Sequence, residues 1–250
     1  MMSKISTDLL LGGRVVLNQS MAGYRAAIDP VLLAAAVDAR EGERVLDMGC
    51  GTGAAALCLA ARISGVSVDG LEKMPQMIQM AMLNVEANGF GGRVRIIEGD
   101  VALPPEEFHK ESYDHVMANP PYRVAGSGNI PKDQIKAAAM VEGAAGLDAW
   151  VRLSWKLLRR KGTLTLVHRA DRLGDILVSL SGHFGGVIIF PLWPGIGDHH
   201  SSRRVIVRAT KEVSTPLILM QGLVLHEESG AYTHEAEAVL RGGKALNLDA

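Results

Sequence analysis

Arg44-Val-Leu-Asp-Met-Gly-Cys-Gly-Thr-Gly53 decides how the rest of the chain is read. Val45 and Leu46 have the character of a buried strand, Asp47 follows, and glycines stand at 49, 51 and 53. Glycine admits left-handed backbone angles and lets bare amides approach a ligand closely. The Ala/Leu-rich run from Ala54 to Ala61 has helical propensity, which places the loop at a helix N-terminus. Strand, glycine loop and helix in that order make a nucleotide-binding unit.

The run alone leaves the nucleotide open, because Gly49-x-Gly51-x-x-Ala54 also satisfies the dinucleotide fingerprint. A dinucleotide loop directs helix N–H groups and the positive end of the helix dipole at a pyrophosphate. S-adenosyl-L-methionine instead carries a sulfonium and an amino-acid tail. Asp47 would suit that tail's ammonium and would repel a pyrophosphate.

Working outward, strands and helices alternate. Strands are expected at 44–48, 66–71, 94–97, 113–118, 163–168 and 187–192, with β-rich runs at 204–210 and 217–225. Helices are expected at 54–63, 75–87, 147–158, 173–181 and 235–240, the second closed by Asn88-Gly89. The fold class is α/β, a mostly parallel sheet with helices on both faces. Residues 1–43 read as an N-terminal extension with a short hairpin around Gly12-Gly13 and a helix starting at Asp29-Pro30. Residues 44–250 are the main domain, in one globular unit overall. The segment 123–132 reads as a mobile loop. Asp198-His199-His200 reads as part of a surface loop rather than a metal site, and no metal is expected.

In an open α/β sheet ligands bind at the carboxyl ends of strands. Four strands end at a polar group: Asp47, Glu72, Asp100 and Asn119. Glu72 follows Asp47 at close to the ~20-residue spacing of an acid that accepts from ribose hydroxyls. Asp100 would accept from the adenine amine of the cofactor. Asn119-Pro120-Pro121-Tyr122 is the most specific stretch. Proline donates no backbone hydrogen bond, so the strand stops there with a stiff backbone. The Asn119 side-chain oxygen and the Pro120 carbonyl are two acceptors that together clamp both hydrogens of a planar NH2 group. Held out of plane, that nitrogen points its lone pair at the methyl group. Tyr122 offers a face for a planar substrate, worth ~1–3 kcal/mol for a base. The scheme needs no strong base, so positioning dominates.

With 250 residues, 48% of them hydrophobic and 21% charged, the chain has an ordinary soluble globular composition. A formal net charge of -1 gives no global basic signature, so a nucleic-acid partner would be held by a local patch. Arg159, Arg160, Lys161, Arg169, Arg172, Arg203, Arg204 and Arg208 are the residues available for it. No run is long enough to span a bilayer and no signal-peptide core is visible, so a cytoplasmic location is expected. Cys50 and Cys58 suggest neither a disulfide framework nor a zinc site.

Through Asp47-x-Gly49-x-Gly51-x-Gly53, Glu72, Asp100 and Asn119 to Tyr122, the chain resembles class I S-adenosylmethionine-dependent methyltransferases of the Asn-Pro-Pro-Tyr amino-methyltransferase branch. Within it, Gln19, Gly23-Tyr24-Arg25, Asp29 and Tyr232-Thr233 look most like bacterial tRNA adenine-N6 methyltransferases. The resemblance implies a Rossmann-like seven-stranded sheet with its last strand antiparallel. It also implies methyl transfer to the exocyclic N6 amine of an adenine in tRNA. Two features depart from it: residues 137–143 lack the expected Arg-His-Glu cluster, and the chain is not basic. The catalytic residues expected are Asn119, Pro120, Pro121 and Tyr122. Those expected to bind the cofactor are Tyr24, Asp29, Asp47, Gly49, Cys50, Gly51, Gly53, Glu72, Lys73, Asp100, Val101 and Asn119. A glutamine-amide methyltransferase acting on a protein and a small-molecule O-methyltransferase are the alternatives. Oligomeric state is not legible.

Overall fold

The computed structural model describes residues 4–21, 25–122, 146–195 and 201–248. Tyr24, the 123–132 loop, residues 137–143 and Asp198-His199-His200 lie outside them. The chain opens with a hairpin of β1 (Ile5–Leu10) and β2 (Val15–Ser20), then α1 (Asp29–Ala36). β3 (Arg44–Met48), α2 (Ala54–Arg62), β4 (Ser67–Glu72), α3 (Pro75–Ala87), β5 (Val94–Glu98) and β6 (Tyr113–Ala118) follow. Next come α4 (Leu147–Leu157), β7 (Leu158–Arg169), α5 (Leu173–Leu180), β8 (Phe184–Trp193) and β9 (Arg204–Lys211). Two short strands, β10 (Ile218–Leu219) and β11 (Leu223–Val224), precede α6 (His234–Leu240).

Seven long strands take the order β5-β4-β3-β6-β7-β9-β8, with β10 and β11 added along β8. All pairs are parallel except β7–β9 and β8–β9, so the last long strand is antiparallel and is slotted inside the sheet. The run expected at 217–225 forms only the two short strands. Strand order reverses between β3 and β6, where Met48 stands opposite Ala118. That reversal is the topological switch point, and it sets the glycine loop beside Asn119.

Alternate residues of the central strands feed two cores. Val45 and Met117 pack under α1 and α2, while Leu46, Met48, Val116 and Ala118 pack under α4. This is the period-2 signature of a sheet covered on both faces. α1 is buried from Pro30 to Ala36, so the N-terminal segment shares the core beneath the glycine loop. Among the described residues no helix is long and apolar enough to cross a membrane.

The hairpin is tied to α3 through side chains. Asn84 and Asn88, one helical turn apart, each pair with both backbone groups of a β2 residue. Asn88 takes the N–H of Val16 and gives to its carbonyl, and Asn84 does the same for Asn18. Asn84 also donates to the Thr52 carbonyl at 3.0 Å, inside the glycine loop. At the hairpin's other end, the Gln19 amide pairs with both backbone groups of Ala26. The segment leading to Asp29 is thereby fixed.

Candidate active site

The carboxyl ends of β3, β4 and β6, with residues 25–30 and Arg204, enclose a crevice of about 340 Å³. That is the size of a small-molecule site. Gly49 and Gly51 have φ of 65° and 57°, in the left-handed region. A Cβ on Gly49 would lie 2.6 Å from the Trp150 ring, while one on Gly51 would meet nothing within 4 Å.

Asp47, only 2% exposed, accepts from the Ala56 N–H at 3.1 Å and so caps the start of α2. Burial, with the negative charge of Glu72 adding to it, pushes its carboxyl up to about 8. Glu72 fastens the loop. One of its oxygens accepts from Gly51 N–H at 2.9 Å, the other from Lys73 and Met74 N–H at 2.9 Å each. Three of about four lone-pair positions are therefore engaged by backbone. Asp100 accepts from Ala102 N–H and lies 3.5 Å from the Lys73 ammonium. Val101 lines the wall beside it. Cys50 also lines the crevice, but its Sγ packs toward Gly70 and burial pushes the thiol far up, which makes it inert.

At the end of β6, Asn119, Pro120, Pro121 and Tyr122 all line the crevice. The Tyr122 hydroxyl lies 2.5 Å from the Asn119 side-chain oxygen and 2.8 Å from Asp29 Oδ2. Arg204 donates to the same Asp29 oxygen at 3.1 Å, and its guanidinium sits over the Tyr122 ring, 4.5 Å from the centroid. The ring that was expected only as a stacking face is thus held by charge on one side and by its hydroxyl.

Of the expected residues within the described ones, all line the crevice except Gly53, which faces Ala81 and Leu57. Sequence reasoning missed Trp150 and His168, and read Arg204 only as a candidate for a basic patch. His168, at 0% exposure, meets the Tyr122 ring edge-to-face with centroids 5.2 Å apart. Neither ring nitrogen makes a hydrogen bond of ordinary geometry, although the Pro121 and Arg169 backbones lie near enough to favour the charged form slightly. Burial, then the charge of Arg172, pushes this imidazole down to about 4, so it is neutral at pH 7. Its place at the carboxyl end of β7 was the only available signal.

The eight basic residues do not form one patch. Arg159, Arg160 and Lys161 sit in a bulge at the start of β7, beyond the regular stretch Thr163–Arg169 that separates them from Arg169 by roughly 20 Å at ~3.3 Å per residue. Arg159 pairs with Asp114 and Arg160 with Glu212. Arg208 donates to the Leu248 carbonyl. Arg204 lines the crevice and Arg169 stands opposite it across β7 and β9, while Arg169 and Arg172 pair with Asp171 and Asp175.

Residues 26–188, which carry every one of these crevice elements except Arg25 and Arg204, match the methyltransferase small domain. The chain belongs to that family. It is an S-adenosyl-L-methionine-dependent methyltransferase. Proteins of Yersinia pestis and Yersinia pseudotuberculosis named tRNA1(Val) (adenine(37)-N6)-methyltransferase are 29% identical over 216 residues, 84% of this chain and 83% of theirs. An Agrobacterium tumefaciens structure named a predicted O-methyltransferase is similar with a TM-score of 0.73 and 27% identity, over 88% of this chain and 98% of that one. An O-methyltransferase of Thermotoga maritima shares the fold at a TM-score of 0.53 and 19% identity, covering 78% and 68%. The methyl donor fits the crevice: Asp47 and Glu72 set two carboxyl groups there that could face a sulfonium and an ammonium, and Gly51 leaves the backbone bare. When bound, that cofactor supplies an electrophilic methyl group.

Proposed function

We propose that this methyltransferase methylates the exocyclic N6 amine of an adenine in RNA, with tRNA the favoured class. The observation that carries the reading is the position of the Asn119-Pro120 acceptors, one residue beyond the β3–β6 pairing that sets them beside the glycine loop. An adenine amine offers two hydrogens to two such acceptors, and the delocalised nitrogen gains nucleophilicity as it leaves the ring plane. The names of the Yersinia relatives agree with this substrate. An O-methyl acceptor gives no reason for two converging acceptors.

In this reading Asp47 faces the cofactor's ammonium, Glu72 uses its remaining lone pair for a ribose hydroxyl, and Asp100 takes the adenine amine of the cofactor. Asp29, Lys73, Val101 and Cys50 complete the cofactor wall, and Tyr24 is proposed as a cofactor contact from the sequence alone. Arg169, Arg172, Arg203 and Arg204 form the local basic edge that meets the RNA backbone, with binding that weakens as salt rises. A tRNA substrate places the enzyme in the cytoplasm.

The test is incubation with labelled S-adenosylmethionine and total small RNA, followed by mapping of the modified base. Asn119→Ala should lower turnover at least ~100-fold, by analogy with loss of one preorganised polar group at a reacting centre, with cofactor affinity nearly intact. Label in protein glutamine instead of RNA, or wild-type turnover in the variant, rejects the assignment.

A further inference from the structure

The Tyr122 hydroxyl has one proton and two acceptors within reach, Asp29 Oδ2 at 2.8 Å and the Asn119 side-chain oxygen at 2.5 Å. One proton cannot serve both. Asp29 is the stronger claimant, because a carboxylate accepts only, and a charged acceptor roughly doubles the strength of the bond. Its place is fixed by the Arg204 guanidinium, which donates to the same oxygen at 3.1 Å and covers the phenol ring.

With the phenolic proton committed to Asp29, the phenol oxygen is left as an acceptor facing Asn119. A primary amide carries an oxygen and an NH2 related by a half turn about the Cβ–Cγ bond. Arg204 also hydrogen-bonds the phenol, but an amide oxygen 2.5 Å away with no proton between the two oxygens would be repelled, so the NH2 end is the one that can stand there. We infer that Asp29, Tyr122 and Arg204 form a relay that holds the Asn119 amide with its NH2 on the phenol and its oxygen turned into the crevice. The order of donation is Asn119 NH2 to Tyr122 oxygen, Tyr122 O–H to Asp29, and Arg204 to Asp29 from the other side.

The inference rests on the amine-methylation reading and deepens it. Two acceptors clamp an NH2 only if the asparagine presents oxygen, and an unrestrained amide would present NH2 to NH2 in its other orientation. The relay removes that orientation before substrate arrives, so no reorganisation is needed in the transition state. Asp29, Tyr122 through its hydroxyl, and Arg204 are therefore positioning residues, separate from any stacking by the Tyr122 ring. In the competing arrangement the phenol donates to the Asn119 oxygen, and the substrate amine must displace it.

The two arrangements predict opposite signs. Under the relay, Tyr122→Phe, which keeps the ring, lowers kcat for RNA methylation about tenfold, the loss of one hydrogen bond. S-adenosylmethionine affinity and melting temperature stay close to wild type. Asp29→Ala, read under saturating S-adenosylmethionine because Asp29 also walls the cofactor site, lowers kcat to a similar extent, and the double variant is no slower than the slower single one. A rise in kcat for Tyr122→Phe overturns the relay in favour of displacement. Independent losses in the double variant overturn it too, as does Asp29→Ala that weakens cofactor binding tenfold at unchanged kcat.

A second measurement needs no turnover. In 15N-labelled protein the Asn119 side-chain NH2 signals, assigned by their loss in Asn119→Asp, should shift in both Tyr122→Phe and Asp29→Ala. Unmoved signals overturn the relay. If the wild-type protein methylates no RNA, the functional reading fails on its own, and the spectra still decide how the amide is held.

Discussion

Asp47 is the group whose protonation should change most when the methyl donor binds. Burial holds its carboxyl at about 8, so at pH 7 roughly nine in ten molecules of the free enzyme carry a neutral acid there. S-adenosylmethionine brings an α-ammonium, of ordinary pKa ~7.7–8.0, and a sulfonium. A cation within a few ångströms favours the carboxylate, so binding should drive the proton off. The ligand's own amine takes up roughly 0.1 proton, leaving a net release of about 0.8 per site at pH 7. At pH 9 the carboxyl is already mostly ionised and the ligand amine mostly neutral, so the sign reverses to net uptake. Calorimetric titrations in two buffers of different ionisation enthalpy, phosphate and imidazole at pH 7, measure this number directly. Asp47→Asn keeps an oxygen for the Ala56 N–H, so α2 stays capped. That variant should lose the release and bind roughly 10- to 100-fold more weakly, the worth of one charge-assisted hydrogen bond. Net release below about 0.2 in the wild type, or undiminished release in Asp47→Asn, refutes the placement of Asp47 against the ligand's cation.

Three further outcomes follow from the geometry. The folded-state imidazole of His168 is pushed down to about 4, while in the unfolded chain it titrates near 6.5. The unfolded state takes the proton first as pH falls, so His168 costs up to about 3 kcal/mol of stability between about 6.5 and about 4. His168→Phe should gain on wild type in urea midpoint as pH falls from 7 to 4.5, and a constant gap would reject this. Gly49→Ala should cost about 1–3 kcal/mol in urea unfolding, since φ is 65° and the new Cβ meets Trp150 at 2.6 Å. Asn84→Ala and Asn88→Ala both free a β2 residue, but only the first strands the Thr52 carbonyl. Cofactor affinity should therefore fall roughly tenfold more in Asn84→Ala, and equal losses would disprove the link to the glycine loop.

The parts of the site legible in the sequence are those written within one strand and its loop. Asp47 with Gly49 and Gly51, and Asn119 with its prolines, announce themselves because local backbone chemistry requires those residue types. The meeting of the two loops followed from the rule that ligands sit at strand ends where the order reverses, without knowledge of which strands are neighbours. Trp150, His168 and the contact of Arg204 with Asp29 and Tyr122 were not legible. They arrive from α4, β7 and the antiparallel β9, and nothing local distinguishes them from ordinary core or surface residues. Glu72 was read for its spacing and its place at a strand end. Its three backbone hydrogen bonds depend on β3 and β4 lying side by side, a non-local fact. The basic run at 159–161 misled for the same reason, since a strand separates its ends by its whole length.

The side-chain pairing of the hairpin to α3 bears on how the protein is made. A two-stranded hairpin alone is marginal in water, and the outer edge of β2 finds partners in the side chains of Asn84 and Asn88. During synthesis the first twenty residues must wait, with that edge wetted, until nearly seventy more have left the ribosome. The same late closure draws in Gln19 and, through it, the Ala26 segment that walls the crevice. Binding competence should thus appear only after α3 has formed, so the hairpin takes its native place later than a segment that follows it by nearly seventy residues.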